Sequence, residues 1–154
     1  MALFLSRYEG RIDRKGRVLV PAPFRAAVAD QRFGGVVCYP SPVELAIEGC
    51  DLARIELLAN SIDSLNPFSA ENGAFATTIL GKSHQLAFDP EGRVSLPEAL
   101  VAFAGIAGAM WFVGLGKTFR IWSPERLAAY EREAEKLARN EAGRLALRPQ
   151  GVAT

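Results

Sequence analysis

A chain of 154 residues, 49% hydrophobic and 23% charged, has the size and mix of one globular domain or two very small ones, not of a disordered or fibrous polymer. Lys plus Arg number 18 against 17 Asp plus Glu, so a net charge of +1 carries no global basic signal for nucleic acid, and any such signal must lie in the distribution. No apolar run reaches the ~18 residues of a membrane span, and residues 1–11 carry charges where a signal peptide needs its apolar stretch, which predicts a cytoplasmic protein.

In chain order, residues 8–12 and 18–20 are short β-prone runs flanking Asp13-Arg14-Lys15-Gly16. Asp13 can hydrogen-bond its own turn and Gly16 can take the positive φ a tight turn requires, so a β-hairpin is predicted. Pro21 and Pro23 suit a first helical turn, with Phe24, Ala27 and Val28 on one face of a short helix. After Gly34-Gly35, the run 36–39 and the alternating Val43, Leu45 and Ile47 predict a second hairpin around Pro40-Ser41-Pro42. Leu52, Ile55, Leu58 and Ala59 place a helix over 51–62, and a polar connector follows at 60–80, with a further helix near 69–80 after Asn66-Pro67. Residues 111–115 and 118–122 form a hairpin around Gly116-Lys117. Ser123-Pro124-Glu125 then supplies a helix start, opening a long amphipathic helix to about residue 147 with Leu127, Tyr130, Ala134, Leu137 and Ala138 on one stripe.

The chain repeats itself. Asp13-Arg14-Lys15-Gly16-Arg17-Val18-Leu19-Val20-Pro21 recurs as Asp89-Pro90-Glu91-Gly92-Arg93-Val94-Ser95-Leu96-Pro97, with Asp, Gly, Arg, Val and Pro in register. Each copy is followed by an apolar stretch, a glycine break and a strand-like run, so the order of parts repeats with the motif. Charge is uneven along it. Residues 1–32 carry seven basic groups (Arg7, Arg11, Arg14, Lys15, Arg17, Arg25, Arg32) against three acids, whereas residues 33–80 carry Arg54 alone against six acids. At and beside the first turn, Arg11, Arg14, Lys15 and Arg17 would project together, as a phosphate grip requires. Arg17 has a second role open to it, because an arginine four residues after an aspartate across a turn can brace that turn.

Other chemistries find little support. Cys38 and Cys50 stand twelve apart with His84 the one histidine, so no CxxC pair or Cys/His cluster offers a metal site, and no cofactor is implied. Gly114-Leu115-Gly116-Lys117-Thr118 ends like a Walker loop, but Trp111 stands where its first glycine should be and a β run follows where a helix should begin. No serine or cysteine has a base nearby in sequence, so no catalytic residue is assigned and nothing requires an enzyme.

The duplicated motif, Asn66-Pro67, Leu80-Gly81 and the Trp122 strand before the last helix together resemble the MraZ transcriptional regulators, built from two tandem AbrB-like (SpoVT-AbrB) DNA-binding elements. The resemblance covers nearly the whole chain. It implies an α+β, β-rich fold in which two AbrB-like repeats, residues 5–50 and 81–124, interlock as a pseudo-twofold double-split β-barrel, with a helical connector at 51–80 and a C-terminal helix at 125–148. It further implies a closed homo-oligomeric ring, association with the nucleoid, and binding of double-stranded DNA at direct repeats upstream of a cell-division and cell-wall gene cluster. DNA contact is carried over to Arg17, with Lys15, Arg14, Arg11 and Arg7 as the surrounding basic group. Asp13, Gly16, Asp89, Gly92 and Arg93 are the motif's structural positions. The second copy departs from the first in holding Pro90 and Glu91 where Arg14 and Lys15 stand, which rests DNA affinity on the first hairpin. A ring-forming scaffold without sequence-specific DNA binding is the alternative.

Overall fold

The computed structural model describes residues 3–149. Its elements in chain order are β1 (Arg7–Arg11), β2 (Arg17–Leu19), α1 (Ala22–Ala27), β3 (Gly35–Pro40), β4 (Ile47–Cys50), α2 (Leu52–Asp63), α3 (Ala70–Phe75) running into a π-helical turn (Ala76–Leu80), β5 (His84–Ala87), β6 (Arg93–Ser95), α4 (Glu98–Ala104), β7 (Ala109–Gly114), β8 (Phe119–Trp122) and α5 (Pro124–Glu141). The fold is α+β, with a six-stranded antiparallel sheet in the order β1-β7-β8-β4-β3-β5 and a separate two-stranded ribbon, β2-β6.

The pairing corrects one expectation. β1 and β2 flank the same turn but form no ladder with each other: β1 runs against β7 and β2 against β6. The same split separates β5, which pairs β3, from β6. Only β3–β4 and β7–β8 are hairpins within one repeat, while β1–β7, β2–β6, β3–β5 and β4–β8 all join the first repeat to the second. Exchanging the repeats leaves this pattern unchanged, so it has twofold pseudosymmetry. The strands remain two sheets and do not close into one barrel.

The core follows from the alternation. Val18 and Val94, opposite each other in the ribbon, face inward and are buried, as are Phe24 of α1 and Leu100 of α4. Phe24 sits among Phe4, Tyr8, Phe112 and Phe119 at ring-centroid distances of 5.2 to 6.2 Å, edge-on or tilted as aromatic quadrupoles favour. A second cluster, Val37, Tyr39, Cys50 and Ile79, lies on the other face of β3 and β4, where Leu52, Ile55 and Leu58 of α2 cover it. α2 starts at Asp51, whose carboxylate accepts the Arg54 N–H, and Gln31 ties the preceding loop to it by accepting from Leu52 N–H and donating to the Gly35 carbonyl. The central β4–β8 ladder carries a part-buried cross-strand pair, Arg120 Nε to Glu48 Oε2 at 3.0 Å.

Two element boundaries differ from expectation. Val43 and Leu45 are exposed in the loop, and the strand begins at Ile47, because Ser41 caps a turn by accepting from the N–H groups of Val43 and Glu44. The last helix begins at Pro124 as read but ends at Glu141, followed by a 3-10 turn (Ala142–Arg144) and non-helical residues 145–149. Asn140 and Gly143 weaken helix propagation there, and Pro149 disfavours helical backbone at Arg148. Contacts divide the chain after Pro124 into one compact unit holding both sheets and a second beginning at Glu125. No described helix is long and apolar enough to cross a membrane.

Gly49 stands directly opposite Phe119 in the β4–β8 ladder, and a Cβ there would overlap the buried Phe119 ring. Gly49→Ala is therefore expected to cost about 1–3 kcal/mol through overpacking. Denaturant unfolding of the variant checks this, and an unchanged midpoint would place the ring elsewhere.

Candidate nucleic-acid interface

Each motif folds its turn around its own aspartate. Asp13 Oδ1 accepts the N–H groups of Lys15 and Arg17, both at 2.9 Å, and Oδ2 accepts Arg17 Nε at 2.9 Å. The backbone closes with Asp13 N–H donating to the Arg17 carbonyl and Gly16 N–H to the Asp13 carbonyl. Gly16 sits at φ +80, which only glycine takes without strain. The second motif copies this. Asp89 Oδ1 accepts from Glu91 and Arg93 N–H, Oδ2 accepts Arg93 Nε at 2.9 Å, and Gly92 lies at φ +86. The hydrogen bond from the arginine's own backbone N–H is the main cause holding both Asp13 and Asp89 below the ordinary carboxylate pKa of 3.8. The Asp89 hydrogen bond in turn raises the Arg93 pKa.

Strand exchange brings the two motifs together. In the β2–β6 ribbon Arg17 lies opposite Ser95 and Leu19 opposite Arg93, so with Val18 and Val94 inward these four residues share the outer face. Arg17 and Arg93 are then diagonal cross-strand neighbours, with Cα atoms ~7–8 Å apart. Each turn also caps the opposite strand: Leu96 N–H donates to the Gly16 carbonyl and Val20 N–H to the Gly92 carbonyl. A two-stranded ribbon of this kind is narrow enough for the major groove of B-DNA.

The sequence-assigned basic residues divide by their partners. Arg17 has its Nε held by Asp13, which leaves both terminal nitrogens without a partner among the described residues. Arg14 and Lys15 are exposed at the turn, and their side chains have no hydrogen bond or ion pair among the described residues. Arg11, at the end of β1 leading into the turn, is exposed as well. Arg7, at the far end of β1, stacks on Trp111 with its guanidinium carbon 4.6 Å from the ring centroid.

Three features of this face were outside the sequence reading. Leu19 and Ser95 belong to it because of the ribbon register. Arg93 Nη2 is tied to Glu91 Oε2 at 3.0 Å in addition to Asp89, a contact the first turn lacks because Lys15 stands at that position. Arg25 lies against Gly92, where a Cβ would come within 2.7 Å of its Nε, and donates to the Val20 carbonyl. The available signal was the duplication itself: two copies of a strand with one inward valine suit pairing with each other about a twofold axis. Of the remaining candidate chemistry, Cys38 and Cys50 are free and buried on opposite faces of β3–β4, and burial pushes the Cys50 thiol up to about 12, the wrong direction for a reactive thiolate.

The family described as MraZ protein, putative antitoxin-like, matches residues 79–148 of this chain. A protein of Pelagibacter ubique named Transcriptional regulator MraZ is 48% identical over 136 residues, 88% of each chain. Proteins of the same name from Rickettsia bellii and Rickettsia canadensis are 46% and 45% identical, covering 96% and 90% of this chain and 98% and 93% of theirs.

Because the folded pKa values of Asp13 and Asp89 are depressed, the stability each carboxylate contributes is present above the ordinary carboxylate range and is lost as pH falls through the folded value. Asp13→Ala is expected to melt below the wild type at neutral pH, with the gap closing on acidification below 3.8. Melting curves across that range test it; a gap that persists at the acid end would show that the charge is not what holds the turn.

Proposed function

The chain belongs to the MraZ family of transcriptional regulators, and from that premise we propose that it acts by gripping double-stranded DNA with the outer face of the β2–β6 ribbon. The observation that carries this is the first turn: Arg14 and Lys15 present cationic groups unpaired among the described residues, and Arg17 presents the two terminal nitrogens that Asp13 leaves unengaged, all from a backbone already fixed by Asp13 and Gly16. A pre-formed turn loses little conformational entropy on binding. Arg14 and Lys15 at the tip meet phosphates, and Arg11 extends that contact along β1. Arg17, held edge-on by Asp13, presents its two terminal nitrogens in the fork that matches guanine O6 and N7. Arg7 adds to the positive field while remaining stacked on Trp111. Gly16, Asp89, Gly92 and Arg93 hold the ribbon's geometry.

The basic group is small, so affinity is built by repetition. Protomers assemble into a closed ring, and neighbouring ribbons engage direct repeats in the promoter of a cell-division and cell-wall gene cluster, each bound repeat raising the effective concentration of the next. Association with the nucleoid follows. Exposed apolar side chains on the connector support a subunit contact, with Phe68 96% exposed and Leu57 and Phe75 also open to solvent.

Arg14→Ala and Lys15→Ala are expected to weaken binding about equally across DNA sequences and to lower the salt slope by about one unit each. Arg17→Ala is expected to lose about 1–3 kcal/mol of discrimination between the chain's own promoter and scrambled DNA. Titration against both duplexes at several salt concentrations, with a melting curve for each variant, is the measurement; promoter affinity unchanged in a folded Arg17→Ala would reject the assignment. Sedimentation is expected to show a high-order homo-oligomer, and a monomer at micromolar concentration with and without DNA would reject the ring.

A further inference from the structure

The two turns of the ribbon have the same backbone and opposite charge. At the position two residues after the aspartate, the N–H of Lys15 and the N–H of Glu91 make the same hydrogen bond to an aspartate Oδ1, at 2.9 and 3.0 Å. The side chains diverge. The first turn's own residues are three cations and one carboxylate, the second's two carboxylates and one cation. Arg93 has Nε on Asp89 and Nη2 on Glu91, whereas Arg17 has only Nε engaged. The remaining nearby cation, Arg25, is committed to the Val20 carbonyl. Nothing in the backbone bars Arg93 from the role proposed for Arg17, since both lie on one outer face with side chains 30% and 29% exposed.

We propose that Glu91 is an intramolecular phosphate mimic that occupies the Arg93 guanidinium and closes the second turn to DNA, so that each protomer grips the duplex at one end of its ribbon only. A carboxylate on the guanidinium's terminal nitrogen takes the place a phosphate oxygen would take, and its charge repels an approaching strand. One-ended contact gives an otherwise twofold ribbon a direction, which repeats arranged head to tail require. The inference rests on the DNA-binding reading above.

The test is a double-mutant cycle on the full chain, using a mixed-sequence duplex and the chain's own promoter segment. Glu91→Ala is expected to tighten binding to the mixed-sequence duplex about tenfold at low salt and to steepen the salt slope by about one unit, through the phosphate contact Arg93 then makes. Combined with Arg93→Ala, the same change is expected to lose most of that gain. Arg93→Met, which keeps the aliphatic stem, serves as the second background if Arg93→Ala does not fold, and a melting curve and sedimentation run accompany each variant. An equal gain with and without Arg93 would mean that Glu91 acts only as a distant charge and would overturn the proposal. Wild-type binding that is abolished by Arg17→Ala but unaffected by Glu91→Ala would overturn it while leaving the DNA-binding reading intact. Absence of salt-dependent binding by the wild type would remove that reading and this inference with it.

Discussion

A carboxylate that holds its own turn closed is what permits this fold. An ordinary tight hairpin is kept shut by the ladder between its two strands, and those strands are therefore committed to each other. Here Asp13 takes three donors from within the next four residues, and Gly16 supplies the left-handed backbone that brings them round. The turn is complete without a ladder, so β1 and β2 are free to leave it in different directions. Asp89 and Gly92 repeat the arrangement. The two released strands, β2 and β6, then find each other, and the inward valines, the shared outer face and the diagonal arginines all follow from that pairing.

The same ion pair lets the bracing residue also serve in the proposed DNA contact. Nε of Arg17 is bound by Asp13, which orients the guanidinium plane, and the terminal nitrogens are left unengaged among the described residues. Fixing one edge of the guanidinium sharpens the use of the other, because a long side chain that is already ordered gives up less rotamer freedom on contact. The part-exposed Asp13–Arg17 pair contributes little to global stability on its own account. Its effect is directional.

Much of this was legible in the residues. The duplication marks both turns, the positive-φ glycines follow from Asp-x-x-Gly, and the apolar spacing of Leu52, Ile55 and Leu58 places α2 against the sheet. What the residues could not express is partnership. Alternation in β1 and β2 tells which side of each strand is buried but not which strand lies beside it, so two strands adjoining one turn read as a hairpin. Glu48 and Arg120 are 72 positions apart, and neither has a local pattern that announces a part-buried pair. Gly49 reads as a weak strand residue until Phe119 is set opposite it. Val43 and Leu45 alternate as a strand would, yet a single serine hydroxyl turning the backbone outweighs that pattern over so few residues.

The interlocking of the repeats also sets the order in which the molecule can be made. Arg7 must wait for Val113, Val36 for Leu86 and Ile47 for Ile121, so most of the ladders span long stretches of sequence. Loop-closure entropy delays such pairings, and a topology dominated by them folds slowly for its size. On the ribosome the first repeat emerges with β1, β2, β3 and β4 each lacking a partner across the repeat boundary, and it keeps open strand edges until β7 and β8 have been synthesised. During that interval the β3–β4 hairpin can form locally, while the complete six-stranded sheet cannot. A nascent chain of this protein therefore spends most of its synthesis as half of a handshake, dependent on the last strands to be translated for closure of the first.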